Sequence, residues 1–217
     1  MTYILAIDGP SGSGKSTISV KLAEILKIEY LNTGSMYRAV TKYFLDNNIK
    51  EDASDCKISE VLDDINIDFI ENNIYINGEN VEGDIRTDLV TKNVSWVSAN
   101  GLVRQRLVEM QREIANEKSF VLDGRDIGTV VFPNAKYKFY LTANAHQRAI
   151  RRFFQNESGL SIDELEQAII QRDLYDSTRA ISPLKKADDA IEIDNSNQTI
   201  EETVKTILDN MEKDDVV

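Results

Sequence analysis

Short apolar runs alternate along this chain with longer stretches in which apolar residues recur at helical spacing. Tyr3–Asp8 is continuously apolar up to its last residue and reads as a short buried strand. Lys15–Leu26 reads as a helix with Ile18, Leu22, Ile25 and Leu26 on one face. Ile28–Leu31 reads as a second strand, and Gly34–Asp46 as a helix carrying Met36, Val40, Tyr43 and Phe44. Leu102–Glu117 keeps Val103, Leu107, Met110 and Ile114 in helical register. Phe120–Asp123, Tyr137–Leu141 and Ala190–Asp194 are further strands. Between the last two lie helices over Ala145–Gln155 and Ser161–Tyr175. A final helix from Thr199 carries Ile200, Val204, Ile207, Leu208 and Met211. Ser161-x-x-Glu164 and Thr199-x-x-Glu202 are capping boxes. The tail Glu212–Val217 is expected to fray.

The texture changes between Ile65 and Val81. INIDFIENNIYINGENV alternates, with turn signals at Asn72-Asn73 and Asn77-Gly78, and predicts three short antiparallel strands. Lys50–Thr91 therefore reads as an insertion in a chain that otherwise alternates strand and helix. The expected fold is α/β: five parallel strands with helices on both faces, plus a small inserted three-stranded antiparallel sheet.

Composition narrows this little. The 217 residues, 41% of them hydrophobic, suffice for one domain with a small insertion. The single cysteine, Cys56, cannot form an internal disulfide. The apolar run Tyr3–Ile7 is too short for a secretory signal, and none approaches the length of a membrane span. A cytoplasmic protein with no membrane partner is expected. The formal charge of −12 argues against a long nucleic acid as partner. Yet all eleven arginines lie between Arg38 and Arg179, several in tight sets. Those sets could simply pair with surface acids, or they could grip a small anion.

Gly9-x-x-x-x-Gly14-Lys15-Ser16 adds weight to the second alternative. The spacing is that of a phosphate-binding loop, and the required context is present: a buried strand before it and an amphipathic helix after it. Loop N–H groups must turn inward around a polyphosphate, which side chains would obstruct. The helix N-terminus adds unpaired donors and partial positive charge. Lys15 can reach the outer phosphates, the Ser16 hydroxyl can bind Mg²⁺, and Thr17 adds a phosphate contact. ATP is the expected occupant. The chain has no Asn-Lys-x-Asp or Asp-x-x-Gly, so a GTPase is not expected.

Other stretches supply candidates for an acceptor site. LNTGSMYR (Leu31–Arg38) puts hydroxyls, a tyrosine and an arginine at a strand-to-helix turn, where the plainer reading is a helix start capped by Thr33 or Ser35. VLDGRDIGTVVFP (Val121–Pro133) carries Asp123 at a strand end, then Arg125 and Asp126. Ligands of parallel sheets gather outside the strand C-termini. Arg148, Arg151 and Arg152 share one helix face, with Ala149, Ile150, Phe153 and Phe154 on the other. Three neighbouring cations need something negative opposite. RDLYDSTR adds Arg172, Asp176 and Arg179. The only histidine, His146, reads as a surface residue.

These residues resemble those of the bacterial cytidylate kinases, a P-loop family of nucleoside monophosphate kinases. The resemblance runs from Ile4 to about Asp194 and rests on IDGPSGSGKST, NTGSMYR, GDIRT, the VR before Gln105, DGRDIGTVVFP, RAIRR, RDLYDSTR with SPL, and ADDAIEID. It implies transfer of the γ-phosphoryl group of Mg·ATP to CMP or dCMP, in pyrimidine nucleotide metabolism; separately, a monomer is expected. It also implies one P-loop kinase domain in three parts. These are a core (1–32, 101–144, 181–217), a monophosphate-binding part with the insertion (33–100), and a lid (145–180). By motif position, Gly9, Pro10, Ser11, Gly12, Ser13, Gly14, Lys15, Ser16, Thr17 and Arg151 would bind ATP. Thr33, Tyr37, Arg38, Arg125 and Arg172 would surround CMP and its phosphate; Ser95, Arg104 and Asp126 would read cytosine; Asp176 and Arg179 would hold the sugar or its phosphate environment. Lys15, Arg125, Arg148 and Arg152 would act on the transferring group, and Ser16, with Asp123 through water, on Mg²⁺. Asn32 stands where relatives often have aspartate, and Tyr175 where they are often basic. The alternatives are a P-loop kinase for another monophosphate or small metabolite, a nucleotide-binding switch without transferase activity, and a structural protein with a relict loop.

Overall fold

The computed structural model describes residues 2–70, 73–155 and 159–215. Its elements begin with β1 (Ile4–Asp8), α1 (Lys15–Leu26), β2 (Glu29–Asn32), α2 (Thr33–Asp46), α3 (Asp55–Asp63), β3 (Ile67–Ile70), β4 (Asn73–Ile76) and β5 (Glu79–Asn80). They continue with α4 (Asp88–Ala99), α5 (Gly101–Ile114), β6 (Phe120–Gly124), a π-helical turn (Ile127–Val131), β7 (Tyr137–Thr142), α6 (Ala145–Phe154), α7 (Ile162–Thr178), β8 (Ile191–Asp194) and α8 (Ile200–Asp215). The chain divides into two compact units. The first comprises Met1–Leu31, Ala115–Thr178 and Ser182–Val217, the second Asn32–Ile114 with Arg179–Ile181.

In the first unit the expected five-stranded sheet forms, in the order β2-β6-β1-β7-β8. β1 is central because it is apolar on both sides: Leu5 and Ile7 on one face have no exposure, Ala6 on the other is 1% exposed, and β1 pairs in parallel with both β6 and β7. Side chains of the sheet, α1 and α8 close one core around Leu5, Ile7, Leu22, Val121, Phe139, Leu141 and Ile207. The register sets Ile7 beside Asp123 and Asp8 beside Tyr140, so the polar residues gather at the C-terminal ends of the strands. A separate small core of Ala149, Leu165 and Ile169 holds α6 to α7.

Both capping boxes form. Glu164 accepts from the Ser161 backbone N–H at 2.8 Å, and Glu202 from that of Thr199 at 2.8 Å. Two expected faces turn out otherwise. Ile25 is 55% exposed, and α1 buries Ser19 and Ala23 instead, because its contact stripe lies over β6 and α8. Phe154 is 78% exposed and Phe153 is also exposed; the buried residues of α6 are Arg148 and Ala149. Arginine faces inward there because its guanidinium finds oxygen partners, described below. α8 continues through Asp215 where fraying was expected, and residues 216–217 lie outside the described residues.

In the second unit the three-stranded sheet has the order β3-β4-β5, with Ile67 opposite Ile76 and Ile76 opposite Glu79. The Asn77-Gly78 turn has both residues at positive φ, 50° and 83°, the twist a two-residue hairpin needs. Of the other turn signal, Asn72 lies outside the described residues. The flanks of this insertion are helical, which was not expected. Ser54 caps α3 by accepting from Lys57 N–H, and Thr87 caps α4 from Val90 N–H. The α4 stripe Val90, Val94, Val97 is β-branched, a weak helix former; burial against α2, with Trp96 stacked on Phe44 at 6.0 Å between centroids, overrides that preference. Asn32, not Thr33 or Ser35, caps α2: its side chain accepts from Ser35 N–H at 3.0 Å.

Candidate active site

The loop between β1 and α1 is shaped by close approach. A side chain at Gly9 would place its Cβ 2.0 Å from the Leu141 carbonyl oxygen, so only glycine lets the chain leave β1 against β7. Gly12, at φ 76°, lies with its would-be Cβ 3.2 Å from Arg148 Cβ. Ser13 Oγ donates to Pro10 O at 3.1 Å. α1 begins after Gly14 with no side-chain cap and no acid in its first turn, which leaves its amide donors to an anion. Lys15 is 5% exposed, and its Nζ donates to Pro10 O at 2.7 Å. Burial, then the positive charge of Arg125, pull the Lys15 ammonium down to about 7.

Two carboxylates stand beside this loop. Ser16 Oγ donates to Asp123 Oδ2 at 2.9 Å, and Tyr30 Oη to Asp123 Oδ1 at 2.8 Å. Sequence reasoning missed Asp8. Its carboxylate is buried and accepts from Ile127 N–H at 2.8 Å and Gly128 N–H at 2.7 Å, holding the π-helical turn that follows Arg125 and Asp126. Burial raises Asp8 to about 6 although those amides pull it down. A charged residue closing an apolar strand was the available signal. It did not say which backbone it would meet.

The arginines separate into two arrangements. Arg125 Nε donates to Asp176 Oδ2 at 3.0 Å, and Arg172 Nε lies 3.5 Å from Asp176 Oδ1. Two cations thus share one buried carboxylate, and burial lowers the Arg172 guanidinium from its ordinary value. On α6, Arg148 donates to Ala143 O at 2.8 Å and Ser11 O at 2.9 Å, and pairs with Asp173. Asp173 Oδ1 also accepts from Ser11 N–H at 3.3 Å. Arg151 donates to the side chain and backbone of Asn195. Arg152 Nε is buried with no hydrogen-bond partner among the described residues. Asp173 and Asn195 also escaped sequence reasoning, because their partners lie far away along the chain. His146 is on the surface, 2.9 Å from Glu166.

The second unit holds its own candidates. Arg38 donates to Ile85 O at 3.1 Å and Thr91 Oγ1 at 3.0 Å, which ties the NTGSMYR and GDIRT stretches together. The Arg104 guanidinium sits over the Tyr37 ring at 5.4 Å and donates to Ser98 O at 3.0 Å. Thr33 is buried at the start of α2. The Ser95 carbonyl accepts from Ser98 Oγ at 3.0 Å, and Arg179 belongs to this unit.

A parallel sheet, a glycine loop opening into an uncapped helix N-terminus, a hydroxyl–carboxylate pair and clustered arginines define the class of P-loop phosphotransferases. A family profile described as cytidylate kinase matches residues 5–213. The chain is similar to the cytidylate kinase of Fusobacterium nucleatum, 48% identical over 214 residues and covering 97% of each. It is 46% identical over 207 residues to that of Alkaliphilus oremlandii, covering 94% of this chain and 95% of that one. The protein belongs to the cytidylate kinase family. Its fold is also that of an uncharacterised protein from Eubacterium ventriosum (TM-score 0.53, 15% identity, 97% of this chain and 99% of that one). A gluconokinase from Sinorhizobium meliloti shares it too (TM-score 0.51, 13% identity, 98% and 92%). Among the described residues no helix is long and apolar enough to cross a membrane.

Proposed function

We infer that this protein transfers the γ-phosphoryl group of ATP to CMP, giving ADP and CDP, with dCMP as a second acceptor. The observation that carries this is the match to one family over residues 5–213, on a chain whose phosphate loop has the strand, spacing and helix the chemistry requires. A kinase for another acceptor or a switch without transferase activity is not favoured.

Residues Gly9 to Thr17 form the proposed ATP set, with Arg151 serving it from α6. Thr33, Tyr37, Arg38, Ser95, Arg104, Arg125, Asp126, Arg172, Asp176 and Arg179 form the CMP set. The acceptor is an anionic phosphate oxygen, so no general base is needed, and catalysis consists of alignment and charge neutralisation. Lys15, Arg125, Arg148 and Arg152 supply the charge. The Ser16 hydroxyl beside the Asp123 carboxylate is a pair of hard oxygen donors that fits Mg²⁺, an ion usually held by one or two protein oxygens plus phosphates and water. When bound, Mg²⁺ neutralises charge developing on the phosphates. We assign the lid to 145–180, supported by the separate core that joins α6 to α7. Its closure would exclude water that otherwise hydrolyses ATP. The core is 1–32, 101–144 and 181–217, the monophosphate part is 33–100, and the enzyme acts as a monomer.

The test is ADP release from Mg·ATP against CMP, dCMP, UMP, AMP, GMP, dTMP and no acceptor. Release with CMP and dCMP far above the others is expected. Preference for another acceptor would overturn the pocket assignment, and release independent of acceptor would overturn the kinase reading.

A further inference from the structure

Asn195 follows β8 and is 3% exposed, yet it is a polar residue with five hydrogen bonds, one of them the turn contact from Gln198 N–H to its backbone O at 3.3 Å. Its backbone N–H donates to Thr142 O at 2.9 Å, fixing it to the end of β7. Its side-chain Nδ2 donates to Ser13 O in the phosphate loop at 2.9 Å. Its Oδ1 accepts from Arg151 Nη1 at 3.0 Å, and its backbone O from Arg151 Nη2 at 2.6 Å. A carbonyl needs a donor and a guanidinium needs an acceptor, so only one orientation of an amide satisfies both ends. Aspartate lacks the donor, and serine lacks the reach.

The consequence lies in the peptide plane. In a trans peptide the C=O of one residue and the N–H of the next point in opposite directions, and no described peptide is cis. Drawing Ser13 O toward Asn195 therefore turns Gly14 N–H the other way. On the far side of Gly12, Arg148 Nη1 holds Ser11 O at 2.9 Å and so turns Gly12 N–H. Each turned amide belongs to a glycine at positive φ, 76° at Gly12 and 87° at Gly14, where the backbone would otherwise be loosest.

We propose that Asn195, held by Arg151, is a positioning residue that presets the phosphate loop for ATP, and that Arg151 acts through Asn195 and not by charge on the nucleotide. This deepens the kinase reading and rests on its placement of ATP in the loop. A preset loop leaves less ordering to be done on binding, so the effect falls on ATP affinity.

The experiment measures Kd for ATP by calorimetry without acceptor, KM for each substrate, and the melting temperature. Asn195→Asp should raise the ATP Kd on the order of tenfold, as expected for one buried acceptor left unpaired. KM for CMP should stay unchanged. Arg151→Lys keeps the charge but cannot span both oxygens of Asn195, so it should behave like Arg151→Ala. Adding Arg151→Ala to Asn195→Ala should cost nothing further. A folded Asn195→Asp with wild-type ATP affinity would overturn the brace. So would Arg151→Lys with wild-type affinity, or additive losses in the double variant, since both mean that Arg151 meets the nucleotide directly. If the Asn195 variants fail to fold, the lysine and alanine variants of Arg151 decide alone. A wild-type protein that binds ATP but releases no ADP with CMP would refute the kinase reading and leave the brace testable by the same titration.

Discussion

The two arginine arrangements of the first unit use the same side chain for different physical ends. Arg125, together with Arg172, faces the buried carboxylate of Asp176. Its field reaches Lys15, for which Arg125 is the second cause of a lowered pKa after burial. The α6 arginines are held differently. Arg148 is paired with Asp173 and aimed at two backbone carbonyls, and Arg151 is engaged by oxygens of one neutral residue. Beside its carboxylate, Arg125 still acts on Lys15 by charge. Carbonyl acceptors spend the rigid fork of the guanidinium on geometry.

That contrast can be broken in order of effect. Lys15→Ala sets the scale: turnover should fall by about 10²–10³-fold or more with an unchanged far-UV circular dichroism spectrum. Near-wild-type turnover would remove the loop from the chemistry. Arg125→Ala should lower kcat by about 10²-fold, with a smaller change in KM for ATP. An equal loss confined to KM for ATP would place Arg125 with Arg151 instead. Asp126→Ala should reduce the preference for CMP over UMP by about tenfold, the worth of one or two hydrogen bonds, measured as a ratio of kcat/KM values. An unchanged ratio would remove Asp126 from base recognition.

The gentlest probe is pH. Lys15 at about 7 is half neutral near physiological pH, and a polyphosphate favours its charged form. ATP binding should therefore take up a proton. Affinity should weaken as pH rises above about 7, by at most about tenfold per pH unit for one proton, and level off below. Lys15→Arg should flatten the profile. The same shift has a stability sign. Between about 7 and 10.5 the folded chain binds fewer protons than the unfolded one, so Lys15 contributes stability that grows as pH rises through that window.

Much of this protein is local and could be read along the chain. The α1 boundaries, both capping boxes and the Asn77-Gly78 hairpin depend on residues only a few positions apart, so the pattern determines them. The glycine spacing of the phosphate loop is of the same kind. Alternation of strand and helix was enough to imply a parallel sheet, because a crossover must be long. The helices α3 and α4 were not legible, since their valines and isoleucines favour extended chain until burial against neighbours decides. The site itself divides in the same way. Lys15, Ser16 and the arginine sets announce themselves by composition and spacing. The partnerships that make them work join residues far apart: Ser16 with Asp123, Arg125 with Asp176, Asp8 with Ile127 and Gly128, and Asn195 with Ser13. Sequence alone determined which groups this protein can bring to a phosphate. Tertiary structure decided which of them face each other, because a hydrogen bond of about 3 Å depends on sheet order and register, and neither is encoded in neighbouring residues.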